Sequence, residues 1–212
     1  KSFRSIGSDG VLAMVCDSTN ALVDGRTPSE TFAYNGLLKE IKNKKNIVLT
    51  TCFSSNISRI KSLLDIALKT SRSVVIIGRA LLRAIDAAKE VGYLTNIPDL
   101  VSFKDINLIP KSNLLIICTG SQGEPNSALS RISKDLDKYI NLTRGDTVIF
   151  SSRQIPGNEN AISKVQNIFL EKGVEIITDN DKNVHVSGHP SRDELIDMYS
   201  FIKPKISIPV HG

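Results

Sequence analysis

Short apolar runs rich in β-branched residues alternate with stretches of helical period along almost the whole chain. The runs are VLAMVC (11–16), NIVLTT (46–51), SVVIIG (73–78), LLIICT (114–119), TVIFSS (147–152), VEIITD (174–179), NVHVSG (183–188) and KISIPV (205–210). Several are apolar at consecutive positions, as strands covered on both faces require. Between them, Ile57, Ile60, Leu63, Leu64, Ala67 and Leu68 recur at helical spacing and predict a helix with one core-facing stripe. Similar patterns cover roughly 79–91, 127–140 and 159–172. Thr27-Pro28-Ser29-Glu30 has the form of a capping box and predicts a helix reaching about Lys44; Ser191-Arg192-Asp193-Glu194 predicts another, ended by Pro204. The alternation predicts an α/β fold, a largely parallel sheet covered by helices.

In such a sheet the loops leaving the carboxyl ends of the strands line the usual ligand crevice. Asp17, Ser18, Thr19 and Asn20 follow the first run; Ser54, Ser55 and Asn56 the second; Gly120 to Glu124 the fourth; Ser152 and Arg153 the fifth. Thr119-Gly120-Ser121-Gln122-Gly123-Glu124-Pro125 leads into a helix, and its backbone N–H groups suit either an anion nest or a plain tight turn. It is neither a Walker loop nor a dinucleotide fingerprint. In Phe53-Ser54-Ser55-Asn56 the polar groups offer ligand contacts, or one serine simply caps the next helix.

All three histidines fall in the last 28 residues: His185 and His189 in Val184-His185-Val186-Ser187-Gly188-His189, and His211 after the final run. The spacing predicts His185 within a short strand and His189 and His211 just beyond strand ends. A histidine can ligate a metal through one nitrogen, or, held by a carboxylate, deliver a proton to a leaving oxygen. Spacing does not allocate these two jobs. No HxHxDH cluster occurs, so a hydrolytic metal site of the usual ligand number is not expected from this chain by itself.

Composition narrows the picture modestly. With 212 residues, 41% of them hydrophobic, the chain can bury a sizeable core. A net charge of +5 and a pI near 9.1 are compatible with a polyanionic partner and equally with a solvated basic surface. Cys16, Cys52 and Cys118 lie in or at the ends of apolar runs and form no CxxC pair, which predicts buried free thiols in a reducing cytoplasm. No stretch approaches a membrane span and no signal-peptide core is present. The first residue is not Met and the sequence stops directly after an apolar run, so it reads as a piece of a longer protein.

Taken in order, Cys16-Asp17-Ser18-Thr19-Asn20, Thr27-Pro28-Ser29-Glu30, Phe53-Ser54-Ser55-Asn56 with Arg59, Thr119 to Pro125, His185-Val186-Ser187-Gly188-His189 and Pro209-Val210-His211-Gly212 resemble the ribonuclease J family, of the β-CASP branch of the metallo-β-lactamase superfamily. The resemblance spans essentially the full chain. It implies a β-CASP domain over 27–183, flanked by metallo-β-lactamase segments at 1–26 and 184–212. It implies catalytic roles for Asp17, which orients a histidine, and His189, which assists protonation of the leaving group. It makes His211 a zinc ligand, and places Ser55, Asn56, Arg59, Ser121, Gly123 and His185 where the family grips RNA phosphates or sugars. It further implies two Zn2+ ions in the longer protein, with most of their ligands outside this segment. The implied activity is hydrolysis of single-stranded RNA, 5′-to-3′ with some endonuclease action and a preference for a 5′-monophosphate, in rRNA maturation and mRNA decay. A homodimer or tetramer in the cytoplasm is implied as well, and the isolated segment is expected to be inactive. The competing readings are a non-catalytic RNA-binding or assembly module and a different metallo-β-lactamase-like hydrolase.

Overall fold

In a computed structural model of the protein Ser2–His211 are described; Lys1 and Gly212, the last residue of the final motif, lie outside the described residues. In chain order the elements are α1 (Phe3–Asp9), β1 (Ala13–Asp17), α2 (Glu30–Lys42), β2 (Val48–Thr51), α3 (Ile57–Lys69), β3 (Ser73–Ile77), α4 (Arg79–Glu90), β4 (Leu114–Cys118), α5 (Ala128–Ser133), β5 (Thr147–Phe150), α6 (Glu159–Glu171), β6 (Glu175–Ile177), α7 (Arg192–Ile202) and β7 (Ile206–Val210). Short 3-10 turns at Phe103–Leu108 and Lys111–Asn113 precede β4. The chain forms two compact units, one of Glu30–His185 and one of the residues up to Ser29 together with those from Val186 onward. The sequence reading set the corresponding limits at 27 and 183.

The larger unit is built on a five-stranded, all-parallel sheet in the order β3-β4-β2-β5-β6. Because strand side chains alternate between faces, Val74 and Ile76 of β3 pack in a core with residues of α2, α3 and α4, whereas Val75 and Ile77 pack in a second core with α5 and α6. Every residue of β2, β4 and β5 is buried, which explains their unbroken apolar runs. Each fully buried Leu or Ile in these layers, Leu64 and Ile116 among them, contributes roughly 1.5–3 kcal/mol. At the amino ends of the strands the buried Arg72 donates to the carbonyls of Asn46 and Leu114 at 3.0 Å and of Lys44 at 2.6 Å. These bonds satisfy carbonyls that the ladder leaves unpaired. The opposite, carboxyl edge carries the polar loops.

The smaller unit holds the parallel pair β1–β7, registered from Ala13 opposite Ile206 to Asp17 opposite Val210. Both strands leave apolar side chains in solvent: Val15 is 66% exposed, Ile206 51% and Ile208 44%. In α7 the Glu194 carboxylate accepts from the backbone N–H of Ser191 at 2.9 Å, the reach-back that the sequence predicts, and from that of Thr27 at 2.8 Å.

Several expectations fail for identifiable reasons. NVHVSG is not a strand: the Val184 carbonyl is taken by the Arg59 guanidinium and the Ser151 hydroxyl instead of a neighbouring strand. Thr27 to Glu30 form no capping box, because the Thr27 hydroxyl bonds the His189 carbonyl and Glu30 turns to Arg59, so α2 begins at Glu30. The helix expected over 127–140 stops at Ser133; Asp135 adopts a left-handed φ of 57° and Asp137 accepts from the N–H groups of Tyr139 and Ile140. Leu68, read as core, is 44% exposed. Helix α1 lacked any apolar stripe that would announce it, and it has no buried residue.

Candidate functional site

In the smaller unit β1 delivers Asp17 to its carboxyl end, where three donors converge on the carboxylate. Its Oδ1 accepts from the Thr19 backbone N–H at 2.9 Å and the Thr19 hydroxyl at 2.7 Å, and its Oδ2 from Nδ1 of His189. Burial alone raises the Asp17 pKa, but the Thr19 N–H, His189 and the Thr19 hydroxyl outweigh it and bring the carboxyl to about 2. An ionised carboxylate only accepts, so Nδ1 of His189 carries its hydrogen and Nε2 is left for other partners. The backbone of His189 is held as firmly: its N–H donates to Ser187 Oγ at 3.1 Å, and its carbonyl accepts from Thr27 Oγ1 at 2.8 Å and Asn20 Nδ2 at 3.2 Å. Asn20 is almost fully buried and its amide also donates to Ser187 Oγ at 3.1 Å. His211 follows β7 in a left-handed conformation, φ 64°, with its side chain exposed and its carbonyl 3.4 Å from the Thr19 hydroxyl. Among the described residues no three His, Cys, Asp or Glu side chains converge as a metal site.

In the larger unit the loops after β2, β4 and β5 leave adjacent strands of one sheet edge. Asn56, not a serine, caps α3, its Oδ1 accepting from the Arg59 N–H at 3.0 Å. Ser55 is left exposed and the Asn56 amide Nδ2 has no partner among the described residues.

Arg59, expected to touch RNA, has no exposed surface. Its Nε and Nη2 donate to the two Glu30 carboxylate oxygens at 2.5 and 3.0 Å. Its Nη1 reaches the Ser151 hydroxyl at 2.6 Å, the Ser151 and Val184 carbonyls at 3.0 and 3.2 Å, and Nδ1 of His185 at 3.3 Å. Such a bidentate pair needs a planar guanidinium, and the remaining N–H groups fix the chain at Ser151 and Val184. Arginine has no lone pair to offer, so Nδ1 of His185 accepts and the neutral ring carries its hydrogen on Nε2. Burial, with the Arg59 charge beside it, pushes the His185 pKa down to about 4 in spite of the opposing Glu30 charge. His185 is thus a neutral donor at ordinary pH.

The loop after β4 is braced by Gln122, whose amide donates to the Arg153 carbonyl at 3.0 Å and accepts from the Ile155 N–H at 3.0 Å. Ser121 is buried and lines a cavity of about 390 Å³ with Ser152, Gln166, Thr178 and Asp181. Gly123 has φ 71°, and a Cβ there would lie 2.5 Å from the Ala161 carbonyl carbon of α6, so the loop tolerates only glycine. Glu30 and Ser151 belong to the site and were not anticipated as such. Glu30 read as a helix-start acid, and nothing in the spacing signals its pairing with an arginine one helix later.

A family profile described as the ribonuclease J β-CASP domain matches residues 44–169, and one described as a Zn-dependent metallo-hydrolase RNA specificity domain matches 173–212. The chain is similar to a ribonuclease J of Sinorhizobium meliloti, 45% identical over 99% of this chain and 37% of that protein. It is similar also to ribonuclease J 1 of Streptococcus pyogenes, 39% identical over 98% of this chain, and to ribonuclease J2 of Bacillus subtilis, 38% identical over 98%. In each case it spans 37% of the relative's length. The parallel β-CASP sheet, the ordered loops at its edge and these matches together make the chain a member of the ribonuclease J family.

Proposed function

We propose that this chain is the β-CASP portion, with adjoining metallo-β-lactamase segments, of a zinc-dependent ribonuclease that hydrolyses single-stranded RNA. The observation that carries the proposal is the Asp17–His189 pair, in which the carboxylate fixes the ring through Nδ1–H and leaves Nε2 free. The imidazolium form, protonated on Nε2 as well, hands that second proton to the oxygen leaving phosphorus and returns to the neutral ring. His185 binds a phosphate oxygen as a neutral Nε2–H donor. Ser55, Asn56, Ser121 and Gly123 supply further hydroxyl, amide and backbone donors. Arg59 acts through His185 and does not touch RNA. His211 would contribute one ligand to a zinc site whose remaining ligands lie outside this segment, and zinc bound there would supply Lewis-acid activation of water. By kinship the intact protein is a cytoplasmic homodimer or tetramer that works 5′-to-3′ from monophosphorylated ends, with endonuclease action, in rRNA maturation and mRNA decay. The segment alone binds RNA weakly and does not cleave it, because its sequence carries no HxHxDH cluster.

The test is His189→Ala in the intact protein. Its kcat on a 5′-monophosphorylated oligonucleotide should fall about 100-fold or more while affinity changes little. Turnover equal to that of the wild type removes the proposed proton donor.

A further inference from the structure

A cavity of about 620 Å³ lies apart from every residue assigned above. It opens at the carboxyl ends of β3 and β4 in the larger unit, and Arg79, Arg83, Arg131, Phe103, Thr119 and Asn126 line it. Arg79 and Arg83 stand four residues apart on one face of α4. No carboxylate lines the cavity, and neither of these two arginines has an ion-pair partner among the described residues. Arg131 is partly occupied, donating to the Asn126 carbonyl at 3.3 Å and lying 3.9 Å from Asp137. Gly78 precedes α4 with φ 135° and provides no side-chain cap. A Cβ at that position would meet the Thr119 side chain at 3.0 Å, so the backbone approaches Thr119 closely. The polar rim is therefore dominated by donors, while Phe103 and Leu82 give the walls an apolar flat surface.

Three cations, uncapped helix N–H groups and an aromatic wall suit a phosphate joined to a planar base. The volume is that of a site for a group of nucleotide size. Two features favour a segment of a strand over a free nucleotide. The arginines are exposed on flexible stems, as in sequence-independent phosphate contacts. Thr119 in the cavity wall and Ser121 in the proposed RNA site also lie two residues apart on one loop, about 7 Å of chain at most. We infer that the cavity is a second RNA subsite, which holds a nucleotide of the same single strand through Arg79 and Arg83 at phosphates and Phe103 at a base. This inference rests on the RNA reading above and extends it.

It is tested with the intact protein by fluorescence anisotropy, using RNA oligonucleotides of two and twelve nucleotides across a salt series. The variant R79Q/R83Q is compared with the wild type and with K39Q/K42Q, which makes the same charge change on α2. For the longer RNA, R79Q/R83Q should bind about 10-fold more weakly, and its log Kd should depend on log salt with a slope smaller by roughly 1.4, the value for two lost phosphate contacts. The dinucleotide should change less than about twofold. Equal losses in both double variants would reduce the effect to net charge and overturn the subsite. So would competition by a mononucleotide as strong as that of the long RNA and dependent on Arg79 and Arg83, which would assign the cavity to a free nucleotide. If the wild type binds no RNA, the proposed function fails along with this inference; if it binds and R79Q/R83Q is unchanged, this inference alone fails. Thermal unfolding checks that the variant folds. Should it not, photocrosslinking of wild-type protein to 4-thiouridine RNA must label the Phe103 peptide, and its absence from the labelled peptides overturns the assignment.

Discussion

Replacing Glu30 by Gln keeps the shape of the side chain and removes the carboxylate that pairs with a fully buried guanidinium. Deleting one partner of a buried pair costs about 3–5 kcal/mol, because the other charge remains. The Glu30 side chain is 28% exposed, so water compensates in part, and a loss of about 2–3 kcal/mol is expected. For a domain of this size that lowers Tm by roughly 5–10 °C in a thermal unfolding experiment. Adding Arg59→Met should restore most of the loss by removing the stranded charge. The Ser151 hydroxyl keeps its bond to the Val184 carbonyl, 2.7 Å away, so the loop at His185 is not left without a tie. The network also predicts opposite NMR shifts for His185. Glu30 raises its pKa, so E30Q should drive the ring below about 4; Arg59 lowers it, so the single Arg59→Met variant should bring it back toward 6.5. An E30Q protein within about 0.5 kcal/mol of the wild type, with an unmoved His185, would refute the argument that this pair positions the histidine.

The remaining predictions are independent of that pair. Because the folded pKa of His185 lies at about 4 against an ordinary 6.5, the unfolded chain takes up the proton first. Stability should therefore be unaffected by this group above pH 6.5, decline as pH falls from 6.5 to 4 and level off below, and His185→Gln should flatten that limb of a urea-midpoint profile. Burial pushes the thiol of Cys52 up to about 12 and that of Cys118 higher still, so native protein should react with a thiol reagent at Cys16 alone, and denatured protein at all three. Gly123→Ala should cost roughly 2 kcal/mol or more in chemical denaturation, since both the left-handed φ and the α6 backbone oppose a side chain. In Asp17→Asn the fixed acceptor for His189 Nδ1 loses its charge, and kcat of the intact protein should fall at least about 100-fold with RNA affinity within a factor of about three.

The sheet was legible because its strands are buried on both faces, which writes continuous apolar runs such as LLIIC and VLTT into the sequence. The α3 stripe and the Ser191–Glu194 signal were legible for equally local reasons, periodicity and a short reach-back. What stayed hidden depends on partners distant in sequence. The extended segment at Val184 looks like a strand by composition, yet Arg59 and Ser151, 125 and 33 residues earlier, claim its carbonyl. Arg59 itself looks like any helix arginine until Glu30 is seen opposite it. The Asp17–His189 pair was suggested by ordered motifs, but the tautomer, and with it the free nitrogen, follows only from the geometry. Gln122, which the sequence placed in the Thr119–Pro125 motif without a role of its own, proves to be the brace between two loops.

The β1–β7 pair has a practical consequence. Among the described residues each of these strands is hydrogen-bonded on one side only, and Leu12, Val15, Ile206 and Ile208 face water. Two parallel strands are too few to stand alone, and open apolar edges recruit whatever strand meets them. A preparation of this segment should accordingly drift into oligomers with rising concentration. Charged replacements at Val15 and Ile208 would be the first remedy for keeping it monodisperse long enough to measure any of the quantities above.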